Sequence, residues 1–148
     1  MSNLSFGDFV KQFPDDDACL HTVFELKYGN PLQCPKCKTE SMFYRVKSRK
    51  SYSCANCRHH LYPVAGTIME GSTTPLRVWF YAIYMFSVSK NGVSANELQR
   101  ALNVSYNTAW RIGHKIRIAM GRDSHKLSGH IEVDETLIGG KVSGGKRG

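Results

Sequence analysis

The chain has no apolar run long enough to cross a membrane, and it has few acidic residues. Its most apolar segment, residues 78–88, is shorter than the ~18 apolar residues of a membrane helix, so we predict a buried helix and no membrane partner. Because residues 1–6 carry neither a basic leader nor a long apolar run, we expect a reducing, cytoplasmic location. Twelve acidic against twenty basic residues give a net charge of +8, which favours nucleic acid over an ordinary solvated basic surface.

Four of the five cysteines form two pairs with the spacing of metal ligands. Cys34 and Cys37 enclose two residues, as do Cys54 and Cys57, and sixteen residues separate the pairs. This separation allows a β-hairpin to return the second pair to the first. Four thiolates suit the tetrahedral Zn²⁺ ion, and a closed set of four ligands indicates a structural site.

Other uses of the cysteines fit the sequence less well. Disulfides would need an oxidising compartment, and a thioredoxin-like site needs one pair near a βαβ pattern. Cys19 lies among apolar residues at helical spacing and is predicted to be a small core residue. His59 and His60 follow the second pair directly, and either could replace a cysteine as a zinc ligand.

Residues 1–70 are predicted to form two short helices and a zinc ribbon. Apolar residues at helical spacing precede Pro14, and the three aspartates at 15–17 mark the start of a second helix that ends near residue 29. Residues 42–46 and 51–54 are rich in aromatic and β-branched types and predict the hairpin strands, with residues 60–62 as a third. We expect the helices to pack on the ribbon, which has almost no core of its own.

Residues 74–122 are predicted to form a three-helix, helix-turn-helix-like domain. Thr74 is expected to cap a helix that has Pro75 at its first position and stops at residues 91–92. Ser94 begins a capping box, and Ser105 caps a last helix that runs to about residue 120. The residues predicted to face inward are Ala95, Leu98, Ala101 and Leu102 in the second helix, and Ala109, Ile112, Ile116 and Ala119 in the last.

The last helix of this domain carries the candidate DNA contacts. The N-terminal residues of the second helix of such a motif reach base edges, where asparagine and arginine make bidentate contacts. The candidates are Tyr106, Asn107, Thr108, Arg111 and Lys115. We expect Lys115 to contact phosphate, and Trp110 to be a core or interface anchor. Three-helix packing without nucleic acid is the alternative.

Residues 128–148 are predicted to begin with a β-strand that carries acidic residues on one face. Glu132 and Asp134 alternate with Ile131 and Val133, so both carboxylates point the same way. Carboxylates on one strand face are what a two-metal phosphoryl-transfer site requires. The exposed face of an ordinary strand is the alternative.

An ordered set of motifs resembles bacterial insertion-sequence transposases that have a zinc ribbon and an RNase H-like, DDE-type catalytic domain (ISXO2-like). The resemblance covers residues 5–148. The motifs are the two Cys-x2-Cys pairs, Val64-Ala-Gly-Thr-Ile68, Thr74-Pro-Leu-Arg-Val-Trp-Phe80, Val104-Ser-Tyr-Asn-Thr-Ala-Trp110, and Glu132-Val-Asp-Glu-Thr136 with Gly139-Gly140-Lys141. The resemblance implies that Asp134 is the first catalytic metal ligand. It also implies that the ribbon and helix-turn-helix recognise the terminal inverted repeats of the element, as double-stranded DNA.

The resemblance places the other metal-binding residues of the family on later strands and a later helix, after Gly148. We therefore expect a small α+β chain that ends in a truncated first strand of an RNase H-like domain. Such a chain would bind Mg²⁺ only within a complete catalytic domain and would not cleave or join DNA alone. Self-association or a separate catalytic chain could supply the missing part. A stand-alone zinc-ribbon regulator that binds DNA, or a remnant without function, are the alternatives to a transposase part.

Overall fold

The structure, a computed structural model, describes residues 5–29 and 33–121, which form five helices and one three-stranded antiparallel sheet. The elements are α1 (Phe6–Gln12), α2 (Asp16–Tyr28), β1 (Phe43–Val46), β2 (Ser51–Cys54), β3 (His60–Leu61), α3 (Leu76–Val88), α4 (Ala95–Leu102) and α5 (Tyr106–Gly121). The predicted small α+β architecture is confirmed for these residues. The predicted strand within residues 128–148, and Asp134 on it, lie outside the described residues.

The two N-terminal helices begin at capped positions, and α2 packs on the ribbon whereas α1 packs on α3. The hydroxyl of Ser5 accepts a hydrogen bond from the N–H of Asp8, and the Asp15 carboxylate accepts one from Ala18. Each bond satisfies a donor that a helix leaves free at its start. From α2, the ring of Phe24 stacks on Tyr52 of β2 with centroids 4.3 Å apart, which confirms the predicted packing on the ribbon for α2.

Aromatic side chains join α1 to α3. Phe9 is buried and stacks on Tyr84, with centroids 5.1 Å apart. Phe13 is also buried and meets Phe80 at 4.9 Å. Aromatic pairs of this kind stabilise by about 0.5–1.5 kcal/mol beyond the area they bury. The short α1 is therefore held by its contacts with α3 rather than by its own length.

The sheet has the order β1-β2-β3, with Phe43 opposite Cys54 and Tyr52 opposite Leu61. Arg45 on β1 fixes the hairpin, because its guanidinium donates to the carbonyls of Val46 and Arg49 in the turn. The same guanidinium forms an ion pair with Asp17 of α2 at 2.9 Å. One arginine thus ties the hairpin turn to the start of α2.

The ends of α3 differ from the prediction. Pro75 occupies the cap position without a side-chain cap, and Thr74 does not cap the helix. Instead, the Asp16 carboxylate accepts hydrogen bonds from the N–H groups of Leu76 and Arg77, at 3.0 and 2.9 Å. The sequence pattern around Pro75 could not predict this cap, because Asp16 belongs to α2. The C-terminal end was also predicted too late: α3 ends at Val88, and the next residue is extended.

The α4–α5 pair forms as predicted, with a tight turn between the helices. Ser94 accepts a hydrogen bond from the N–H of Glu97, and Ser105 accepts one from Thr108. Asn103 adopts the left-handed conformation at the end of α4 (φ 51°), which asparagine tolerates better than most residues. Five of the eight predicted inward residues are buried: Leu98, Leu102, Ala109, Ile112 and Ile116.

The other three predicted inward residues are less buried. Ala95 and Ala119 are half-buried, and the prediction for Ala101 was wrong because it is exposed. Only one stripe of a helix as short as α4 can face its neighbours, and Leu98 and Leu102 fill that stripe. Gly113 is buried as well, although the sequence pattern did not single it out.

One hydrophobic cluster runs through the described residues on both sides of the predicted boundary at residues 70–74. It includes Cys19 of α2, Tyr52 of β2, Trp79 of α3 and Ile112 of α5. The ribbon and the three-helix unit therefore share a core. Among the described residues, no helix has the length and apolar character that crossing a membrane requires.

Candidate metal centre and nucleic-acid interface

The four paired cysteines meet at one point beside the sheet. Their Sγ atoms all lie within 4.8 Å of one another, with 3.6 Å between Cys34 and Cys57 and 4.0 Å between Cys37 and Cys54. Tetrahedral Zn²⁺ with Zn–S bonds of about 2.3 Å separates its sulfurs by about 3.8 Å. The four residues therefore fit a structural zinc ion, and none of them forms a disulfide.

The two cysteine pairs lie in loops that have the same hydrogen bonds. In each loop the first cysteine's carbonyl accepts from the N–H four residues later, and its own N–H donates to the carbonyl five residues later. These bonds are Lys38 to Cys34 (2.8 Å) and Cys34 to Thr39 (3.0 Å), then Arg58 to Cys54 (3.0 Å) and Cys54 to His59 (2.9 Å). Lys38 and Arg58 both have positive φ, 60° and 57°. The backbone thus presents both pairs to one ion in the same way.

Hydrogen bonds prepare two of the thiols to ionise. The Thr39 side chain lowers the pKa of Cys37, and the backbone N–H of Cys57 with the Ser41 hydroxyl lowers the pKa of Cys54 to about 6. For Cys57 the N–H of His59 also lowers the pKa, but burial and the neighbouring thiols outweigh it and raise the value to about 11. Four thiolates this close need a cation between them, and Zn²⁺ would supply that charge.

The remaining candidates for zinc chemistry lie apart from the cluster. The ligand group found in the described residues contains the four cysteines without His59 or His60. The His60 ring instead stacks on Tyr62, with centroids 6.4 Å apart. Cys19 is completely buried, and burial raises the pKa of its thiol to about 11. Its predicted role as a core residue is confirmed.

Three of the five candidate DNA contacts share the exposed face of α5. Tyr106 is 47% exposed, and Asn107 and Arg111 are exposed beside it. The other two are held at the edge of this face. The Thr108 hydroxyl bonds to that of Ser105 at 2.9 Å, and the Lys115 ammonium donates to the carbonyl of Ile68 at 3.1 Å.

Trp110 lies on this same face. Of its two predicted roles, the core residue is wrong, and the interface anchor stays a prediction. Its side chain is 51% exposed, and its ring stacks on His114 with centroids 4.9 Å apart and an interplanar angle of 12°. Sequence analysis missed both residues as candidates for the exposed face. A count at four-residue spacing from Tyr106 to Trp110 to His114 would have found them, because such residues lie along one side of a helix.

The charge of α5 is of one sign. Residues 106–121 contain Arg111, Lys115 and Arg117 and no aspartate or glutamate. Arg117 donates to the carbonyl of Val93, just before α4, at 2.6 Å and lies over the ring of Phe86. The exposed face of α5 thus offers amide, guanidinium and aromatic groups without a carboxylate to repel a polyanion.

Two comparisons with known proteins agree with this arrangement. Residues 14–60 match the family of the transposase zinc-ribbon domain. The chain is also 28% identical, over 142 residues, to an uncharacterized protein in transposable element ISH50 from Halobacterium salinarum. That alignment covers 93% of this chain and 47% of the relative, so the chain spans about half the relative's length. No solved structure matches the chain significantly. Together, the zinc-ribbon match, the relative and the four-cysteine cluster support a zinc-ribbon protein related to insertion-sequence transposases.

Proposed function

We propose that this chain is the DNA-binding N-terminal part of an insertion-sequence transposase, which recognises the terminal inverted repeats of its element as double-stranded DNA in the cytoplasm. Transposition requires an enzyme that finds its element's ends before it cuts and joins them. α4 and α5, two helices joined by a tight turn, would act as a helix-turn-helix, in which the second helix enters the major groove. The zinc ion would hold the ribbon rather than take part in chemistry.

The observation that carries this proposal is the exposed face of α5. Asn107 and Arg111 are exposed near the start of a 16-residue helix whose opposite side is buried against α3 and α4. Asparagine can make a bidentate contact with adenine, and arginine can make one with guanine. A helix held rigidly by its core, with such side chains free, is suited to read base edges.

We also propose a role in catalysis for Asp134. Asp134 would be the first metal-binding carboxylate of an RNase H-like, DDE-type domain, in which two Mg²⁺ ions stabilise the attacking and leaving oxygens. The described residues, 5–29 and 33–121, do not include it. In a complete domain the residues described here would deliver the DNA ends to that site.

Selection of DNA from a random pool tests the recognition step. The zinc-loaded chain should enrich a common sequence from random duplexes. With an enriched duplex, Arg111→Ala should weaken binding by about 1–3 kcal/mol and relax the preference at one base pair. Arg77→Ala, which removes another exposed arginine, from α3, is the matched control and should retain the preference.

Two outcomes would count against the proposal. Equal, sequence-independent losses for Arg111→Ala and Arg77→Ala would indicate only a basic surface. A chain that enriches no sequence would not be a specific DNA-binding part at all. A stand-alone DNA-binding regulator would pass the same test, and the relative within a transposable element is the observation that favours the transposase.

A further inference from the structure

The two tryptophans of the chain have opposite environments. Trp79 is 1% exposed, and its indole N–H donates to the Ser72 hydroxyl at 3.0 Å. Trp110 is 51% exposed on α5. Covering so large an aromatic ring on binding removes apolar surface from water and is favourable. A partner that docks on α5 at this ring would gain that free energy.

Trp110 lies among the proposed base-reading residues. At 100° per residue around α5, it falls between Tyr106 and His114, next to Asn107 and one turn before the level of His114. The stacked His114 ring restricts the indole to one side, so the ring presents a defined apolar surface. Because Trp110 lies between Tyr106 and Asn107 around the helix, a duplex that contacts both of these residues would also bury Trp110.

The charge of α5 indicates a polyanionic partner. Arg111 is exposed on the same helix, and residues 106–121 contain no acidic side chain. A face that carries basic and aromatic side chains suits a polyanion that also has an exposed apolar group. In the major groove of DNA, this apolar group is the 5-methyl group of thymine, which apolar side chains contact directly.

We propose that Trp110 is a specificity-determining residue that contacts a thymine 5-methyl group in the major groove. This inference rests on the proposed DNA recognition by α5 and adds to it a preference that Asn107 and Arg111 do not provide. The indole covers the methyl group and excludes water from it. His114 holds the ring in place by stacking and does not itself read the base.

Replacement of single thymines by deoxyuridine in a duplex enriched from the random pool tests this contact, because it removes only the methyl group. At one thymine position, the replacement should weaken binding of the unmodified chain by about fourfold. Trp110→Ala should bind both duplexes equally. Leu26→Ala, which removes an exposed apolar side chain from α2, is the control and should keep the full difference.

Acrylamide quenching of tryptophan fluorescence gives an independent readout. In the free chain Trp110 should be quenched readily, whereas the Trp110→Phe variant reports only the buried Trp79. Adding the enriched duplex should lower the quenching slope of the unmodified chain towards that of Trp110→Phe.

The outcomes separate this inference from the proposed function. A duplex that binds with an Arg111-dependent preference, but leaves Trp110 accessible and shows no effect of deoxyuridine, overturns the thymine contact and leaves DNA recognition intact. Failure to enrich any duplex overturns both. Protection of Trp110 that rises with protein concentration in the absence of DNA would identify a second copy of the chain as the partner and overturn the contact.

Discussion

The carboxylate of Asp16 caps helix α3 by accepting a hydrogen bond from the backbone N–H of Leu76 at 3.0 Å, sixty positions later in the chain. Its second oxygen accepts from the N–H of Arg77. The same residue is the first of α2 and the middle one of the three aspartates at 15–17. Because the positive end of a helix favours a negative charge, this carboxylate stabilises α3. It also fixes the start of α2 against the start of α3.

Asp16→Ala should therefore destabilise the fold although it removes no core side chain. Two N–H groups at the start of α3 would lose their partner, and we expect a loss of about 1–2 kcal/mol in the free energy of unfolding. Asp16→Asn keeps one acceptor oxygen and should lose less. Chemical denaturation of the zinc-loaded proteins measures this order, and equal stability of Asp16→Ala and the unmodified chain would contradict the cap.

Zinc content tests the metal centre. Chain made under reducing conditions should contain one zinc ion, and chelation should unfold at least residues 33–65, because a metal-held ribbon draws folding free energy from the ion. Cys54→Ser should lose the metal. Cys19→Ala, which alters the cysteine buried outside the cluster, is the control and should keep it. Zinc content unchanged by Cys54→Ser would refute the site.

Close packing of α4 on α5 makes Gly113 a sensitive position. A Cβ at Gly113 would lie 3.0 Å from the Cδ1 atom of Leu98 and 3.4 Å from the Arg117 guanidinium. Gly113→Ala should therefore destabilise the chain by about 1–3 kcal/mol and shift α5. A Cβ at Gly121 would meet no atom of residues 5–29 or 33–121 within 4 Å, and Gly121→Ala should change stability by less than about 0.5 kcal/mol. The thermal unfolding midpoints of Gly113→Ala and Gly121→Ala measure this difference. Equal midpoints would contradict the close packing of α4 on α5.

Lys115 was predicted to contact phosphate, and its surroundings leave that possible. Its ammonium donates to the Ile68 carbonyl and lies over Trp79, yet an ammonium has three donors. Lys115→Ala should weaken binding to all duplexes alike and flatten the salt dependence by about one unit. Binding titrations over a range of salt concentrations measure this slope. An unchanged slope, with a loss of thermal stability only, would mean that Lys115 serves the fold alone.

Local sequence patterns were sufficient to predict most elements of the fold. The aspartates at 15–17, Ser94 and Ser105 mark helix starts that the structure confirms, because each cap forms within three residues along the chain. The metal centre was equally predictable. Two Cys-x2-Cys pairs need only a hairpin to bring them together, and their Sγ atoms do meet.

Features that depend on contacts between distant segments could not be predicted. The cap of α3 comes from Asp16, and local rules assigned it to Thr74. Trp110 was predicted to be a core or interface anchor because of its residue type, and the direction in which α5 packs excludes only the core. Which side of α5 faces α4 is set by Leu98 against Gly113, a close approach that the apolar pattern does not reveal.

An NMR titration of the zinc-loaded chain with an enriched duplex shows directly whether the exposed face of α5 binds double-stranded DNA. We expect the largest changes at Asn107, Trp110, Arg111 and His114, with little change at α1. A duplex that binds while the α5 signals stay unchanged, or that perturbs only residues 47–50 of the hairpin turn, would contradict binding by α5.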